Sequence, residues 1–322
     1  LMGDTNDCTL SNSSSSGDIT CSGNMCGGLV GAFSGYLYDS YATGDVVISN
    51  SGSSDYSNYY HYAYEIGGFV GYNDGTITTS HSTGDVTSTD TSISTYISSN
   101  IEFDIWEAGG FAGYNDYSIA DSYTTSDVTI SSTPISDTSS YLDSSIGEIG
   151  GFVGYNENFI QGSFATGNVT LSNSSLTNES YDHHYDVSEV GGFVGYNDNG
   201  YIETSSASGN VVGPIAINGG TEPLGIEPMA VTSTDGADRM GGFVGTNYYS
   251  TISQSYATGN ITGGNKLGGF AGVSGDGSLI ENSFSRGSVT GYYDLGSFAG
   301  RIGGDVHDSY ATGLVTGTPD EN

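Results

Sequence analysis

Two columns of asparagine and aspartate hold the residues whose type and spacing could support chemistry. One column contains Asn73-Asp74, Asn115-Asp116, Asn156-Glu157 and Asn197-Asp198. The other contains Asp45, Asp85, Asp127, Asn168, Asn210 and Asn260. Carboxylates stacked one above another repel, and a hard cation with oxygen ligands relieves that repulsion. Calcium is therefore the candidate cofactor, with Asp45, Asp85, Asp127, Asp74, Asp116 and Asp198 as its ligands. The competing reading is that Asn and Asp recur because their side chains bond backbone groups at turns, or because Asn stacks on itself in ladders. Nonapeptide calcium repeats of the GGxGxDxUx kind are absent from the sequence.

Other reactive residues are sparse. His183 and His184 are adjacent, so an extended strand would place them on opposite faces, and His61, His81 and His307 stand alone. The sequence contains no GxSxG, HExxH or P-loop pattern. A polysaccharide lyase would want a basic residue to abstract a proton, and the whole chain has only Lys266, Arg239, Arg286 and Arg301. Aspartates are too abundant for any pair to signal glycoside hydrolysis. With no identifiable acid, base or nucleophile, the sequence reads as a non-enzyme.

The three cysteines, Cys8, Cys21 and Cys26, cluster near the start. Cys26 falls in an apolar column with Ile66, Ala108, Ile149, Val190, Met240, Leu267 and Leu295, and reads as a small buried hydrophobe. Cys8–Cys21 is then the expected disulfide; Cys21–Cys26 is the other intrachain option, and an odd cysteine could cross-link subunits. Glycosylation sequons stand at Asn12, Asn168, Asn173, Asn178 and Asn260.

Charge narrows the partners. Thirty-seven acidic residues against four basic ones leave a formal charge of -33 over 322 residues. Such a field repels nucleic-acid phosphates and anionic membrane surfaces. No run of apolar residues is long enough to insert into a bilayer, and Leu1 starts no recognisable signal peptide.

The columns need a scaffold that repeats. A glycine pair opens the copies at Gly27, Gly67, Gly109, Gly150, Gly191, Gly241 and Gly268, and at Gly296, where Ser297 replaces the second glycine. The spacings are 40, 42, 41, 41, 50, 27 and 28 residues. Repeats of this size with variable inserts mark a solenoid in which each copy is one coil. Period-two alternation and β-branched residues make the segments strands. Leu29, Phe69, Phe111, Phe152, Phe193, Phe243, Phe270 and Phe298 share one position, and Val30, Val70, Ala112 and Val153 share the next. Adjacent residues on a strand face opposite ways, so this strand reads as apolar on both faces, with the outer one needing a cover. The glycines at Gly71, Gly113, Gly154 and Gly195 mark corners that need either φ > 0 or close backbone approach.

The fold class follows: all-β, a single right- or left-handed β-solenoid of about eight coils, with a core roughly 40 Å long. Residues 1–26 read as an N-terminal cap or docking segment and 27–322 as the solenoid. The first five periods carry inserts, where Tyr60, Tyr62, Tyr64 and Ile101, Phe103, Ile105 alternate, so extra inserted strands forming a further sheet are expected. The insert at residues 213–239, with Pro214, Pro223 and Pro228, reads as a loop.

At GGLVG followed by DSYATGDV, and again at GGFVG, SYATGNITG and SYATGLVTG, the chain resembles the GLUG motif. The resemblance covers about Gly27 to Gly317, with departures at Ser297, Thr125-Ser126 and Arg286. It implies a β-solenoid on the cell exterior, in secreted or surface-anchored and adhesin-like proteins, and no catalytic residue. The combined reading is a non-enzymatic extracellular structural protein that self-assembles head to tail as a filament or surface-layer subunit. The alternative is an adhesin or carbohydrate-binding module, using tyrosines such as Tyr56, Tyr59, Tyr60, Tyr62 and Tyr64 on surface glycans.

Overall fold

The structure is a computed structural model and describes residues 8–49, 59–89, 101–132, 142–173, 183–214 and 237–317. The described residues contain strands and no helix. Five parallel sheets run the length of the molecule, each taking one strand from each coil. One coil shows the pattern: Ile101–Gly109 in sheet I, Ala112–Asn115 in sheet II, Ser118–Ala120 in sheet III, Tyr123–Thr124 in sheet IV and Val128–Ser132 in sheet V. The chain is a β-solenoid. Register is strict from coil to coil, with Ile77 on Ile119, Ile119 on Ile160 and Ile160 on Ile202.

Sheets III, IV and V hold nine strands and sheets I and II hold eight. The additional three are Cys8–Ser11, Ser14–Ser15 and Ile19–Cys21. They stack in register on the following coil, Leu10 on Leu37, Ser15 on Ala42 and Ile19 on Val46.

The core has two lobes. Sheets II, III and IV enclose one cluster built around Phe69, Phe111, Phe152, Phe193, Phe243 and Phe270. Sheets V and I enclose the other, built from Val46, Ile66, Val86, Ile105, Val128 and Ile149. Along the phenylalanine column successive rings stack 4.7 to 5.1 Å apart. That spacing is one strand step, so the backbone ladder itself sets an offset-stacked ring geometry.

The two-faced apolar strand expected from sequence is not formed. Phe69 and Val70 are both fully buried, and both belong to the same cluster. Gly68 and Phe69 lie in a bend before sheet II begins at Val70, so the alternation starts one residue late and both side chains turn inward. No external cover is needed.

Among the described residues the inserts do not build a sheet of their own. In four coils they lengthen the sheet I strands to nine residues: Tyr59–Gly67, Ile101–Gly109, Leu142–Gly150 and His183–Gly191. In later coils the same strands are four residues, as at Asp238–Gly241 and Asn265–Gly268. Of the predicted proline loop, residues 215–236 lie outside the described residues, while Asp238 and Arg239 already belong to the sheet I strand Asp238–Gly241. Tyr56 and the side chains of Tyr59, Tyr60, His61, His183 and His184 also lie outside them.

The disulfide differs from the expected Cys8–Cys21 bridge. Cys21 pairs with Cys26, their Cα atoms 6.2 Å apart across a short turn in which Met25 adopts φ 57°. Both belong to the sheet V and I lobe, whereas Cys8 packs against the other lobe with its sulfur 3.6 Å from the Ser34 carbonyl. The fold separates the expected partners.

Candidate functional site

The most chemically unusual part of the molecule is a column that sequence reasoning missed. Glu65, Glu107, Glu148 and Glu189 occupy equivalent places in sheet I, and each has positive φ, between 58° and 63°. The ladder runs Trp106 on Tyr64 and resumes with Ala108 on Ile66, so Glu65 and Glu107 form a left-handed kink at the same place in both strands, a bulge in phase with no extra residue on either. The bulge resets the strand's phase: Ala63 and Ile66, an odd spacing apart, both enter the core, as do Ile105 and Ala108. Left-handed φ at a glutamate costs on the order of 1 kcal/mol or more, so the surroundings must enforce it.

Glycine supplies the constraint. A Cβ on Gly113 would lie 2.3 Å from the carbonyl carbon of Glu65, and one on Gly154 would lie 2.5 Å from that of Glu107. The backbone of the next coil therefore presses directly against each bulge. Neither glycine has positive φ, so of the two expected roles, close approach explains this column.

Burial and mutual repulsion shift the carboxyls. Burial, followed by Glu65 and Glu157, pushes Glu107 up to about 7. Burial, followed by Glu107 and Glu189, pushes Glu148 up to about 8. Glu65 is raised by burial. Glu189 is also raised by burial, although Arg239 opposes it with an ion pair at 2.7 Å. Arg239 occupies the next place in the column and Lys266 the one after, both with positive φ. Lys266 and Arg239 also hold Asp238, at 2.8 and 3.4 Å.

A tyrosine column flanks the glutamates. Tyr72, Tyr114, Tyr155 and Tyr196 stack with centroids 4.9 to 5.3 Å apart. Tyr72 donates its hydroxyl to Asp116 at 2.9 Å and Tyr155 donates to Asp198 at 3.2 Å. Tyr114 hydrogen-bonds Glu157. Burial first, and these carboxylates second, raise the tyrosine hydroxyls above their ordinary range. Chemically, this surface sets tyrosine hydroxyl donors on carboxylate acceptors beside glutamates whose carboxyls burial shifts toward the protonated form.

The aspartates named as calcium candidates have polar partners within the fold. Asp116 and Asp198 accept from tyrosines as above, and Asp74 acts on Tyr72 through its charge. In the second column each side chain accepts the backbone N–H of the next coil. Asp85 N–H donates to Asp45 at 2.9 Å, Asp127 N–H to Asp85 at 3.0 Å, and Asn168 N–H to Asp127 at 2.7 Å. Asn210, Asn260 and Ser288 continue the series. Among the described residues no three His, Cys, Asp or Glu form a group that could hold a metal ion.

Asn73, Asn115, Asn156, Asn197 and Asn247 are fully buried and make a second ladder, each amide donating to the next at 2.7 to 2.8 Å. Of the sequons, Asn12, Asn168 and Asn260 are exposed on the described surface, while Asn178 and the side chain of Asn173 lie outside it.

A family model described as the GLUG motif matches residues 62–87, 186–212 and 236–262. The chain carries this motif, and the first two matches each start in sheet I and finish in sheet V, so one motif is one five-strand coil. Comparison with curated proteins and with solved structures returns no match. Proteins with this repeat are generally secreted or surface-associated, and the repeat family is a structural one.

Proposed function

We propose that the chain is a non-enzymatic extracellular structural protein that associates head to tail, as a filament or surface-layer subunit. The observation that carries this reading is the state of the outermost described coil. Tyr293–Gly296, Ala299–Ile302, Asp305–His307, Tyr310–Ala311 and Val315–Gly317 are the edge strands of all five sheets. No described strand covers their column residues: Ile302 is 52% exposed and Val315 37%, whereas Val289, one coil inward, is fully buried. Parallel edges template further strands, and at the opposite end Cys8–Ser11, Ser14–Ser15, Ile19–Cys21, Cys26–Gly27 and Val30–Phe33 are the edge strands a second copy would offer. The contact joins unlike ends, so it propagates without closing.

Sedimentation over a concentration series tests the proposal. The wild type is expected to form a ladder of species growing with concentration. Ile302→Asp with Leu314→Asp, both at exposed positions, should hold it at one unit. A wild type that stays a single species at every concentration would overturn the reading.

A further inference from the structure

The outer face of sheet IV carries an aromatic ladder with one ring left out. Tyr41, His81, Tyr123 and Phe164 stack at 5.2, 4.7 and 4.9 Å, with interplanar angles of 11° or less. Tyr256, Phe284 and Tyr310 stack at 5.1 and 5.3 Å in the same way. Between the two runs the register places Ser206, paired with Phe164 on one side and Tyr256 on the other. Two strand steps, roughly 9.6 Å, therefore separate two aromatic side chains with only a serine between them. Exposure records the interruption. His81, Tyr123 and Phe284, which have ring neighbours on both sides, are half-buried. Phe164 and Tyr256 are 39% and 40% exposed, close to the 42% of Tyr41 at the end of the ladder.

The gap has the height of one flat group, because in neighbouring coils a ring occupies that position. We infer that the slot over Ser206, between Phe164 and Tyr256, receives the guanidinium of an arginine from a basic partner protein. Three observations favour this occupant. A guanidinium is planar and delocalised, so it can lie flat between two aromatic faces, which a compact tetrahedral ammonium cannot do. The chain's formal charge of -33 draws cationic partners and repels anionic ones. The same ladder already attracts a guanidinium, since Arg286 places its guanidinium carbon 5.0 Å from the centre of the Phe284 ring, whose two faces are taken by Tyr256 and Tyr310. Thr166, Ser208 and Thr258 line the adjacent exposed column and offer hydroxyl acceptors to its N–H groups.

The test is an NMR titration of the full chain with a capped Gly-Arg-Gly tripeptide, its Gly-Lys-Gly counterpart and a neutral disaccharide, at about 0.15 M salt to screen long-range attraction. The arginine peptide should shift the Phe164, Ser206 and Tyr256 signals and bind about tenfold more tightly than the lysine peptide. Ser206→Tyr completes the ladder, so it should fold, melt higher than wild type and lose the arginine response. Phe164→Ala, which removes one wall and leaves Ser206 in place, should weaken the response as well. Equal binding of arginine and lysine peptides would overturn the inference, as would a response unchanged in Ser206→Tyr. Shifts produced by the disaccharide and not by arginine would overturn it too, and reassign the slot to a sugar ring.

Discussion

Arg239 donates to the Glu189 carboxylate at 2.7 Å, and this ion pair terminates a column of four glutamates held in left-handed backbone conformation. Glu189 has its counter-charge in the next coil. Glu107 and Glu148, inside the column, are raised first by burial and then by the neighbouring glutamates, to about 7 and about 8.

That response gives the solenoid a pH dependence of definite sign. The folded values lie above the ordinary 4.5, so the folded state binds protons more tightly than the unfolded one. The resulting stabilisation is complete below about pH 4.5 and is lost as pH rises through 7 and 8. Thermal melts should show a midpoint that falls as pH rises from about 4.5 to about 8 and levels off above that. Glu148→Gln should flatten that fall and raise the alkaline midpoint by roughly 2–4 °C. An unchanged slope in the variant would show that the column does not control it.

The buried asparagine ladder makes a second prediction. Asn156 accepts from Asn115, and its amide lies 2.7 Å from the Asn197 oxygen and 2.8 Å from the Asn158 carbonyl. Asn156→Ala leaves a donor on Asn115 and an acceptor on Asn197 buried and unpaired, at a cost of about 2–4 kcal/mol. Chemical denaturation measures it. A loss under about 0.5 kcal/mol, the level of an ordinary surface change, would mean that the ladder is dispensable.

Gly113→Ala probes the enforcement of the bulge. Its Cβ would meet the Glu65 backbone at 2.3 Å, and main chain cannot swing aside as a flexible side chain can. Destabilisation of about 3 kcal/mol is expected, with loss of amide protection concentrated around Glu65 and Gly113 in hydrogen exchange. Wild-type exchange at both positions would contradict the close packing described.

Much of the fold was legible because a solenoid repeats its constraints. Glycine pairs, the phenylalanine column and the Asx columns each recur in four or more copies, so the copies together disclose what one would not. The glutamate column carried a signal too, since each glutamate immediately precedes the Ile66, Ala108, Ile149 and Val190 column. It was missed because alternation rules assume unbroken strand phase, and a left-handed bulge breaks that phase without a characteristic residue type. The same limit hid the inward turn of both Phe69 and Val70. The Cys21–Cys26 bridge depended on which lobe each cysteine enters, which spacing alone does not encode. The aromatic slot needed register, because Ser206 has meaning only between Phe164 and Tyr256.

Electron microscopy of the purified protein, with calcium and again with a chelator, tests the central claim most directly. Head-to-tail assembly through five sheet edges predicts filaments whose axial repeat matches the length of one solenoid. They should persist in chelator, because Asp45, Asp85 and Asp127 already accept backbone N–H groups. Dispersed short rods in both conditions would contradict the account.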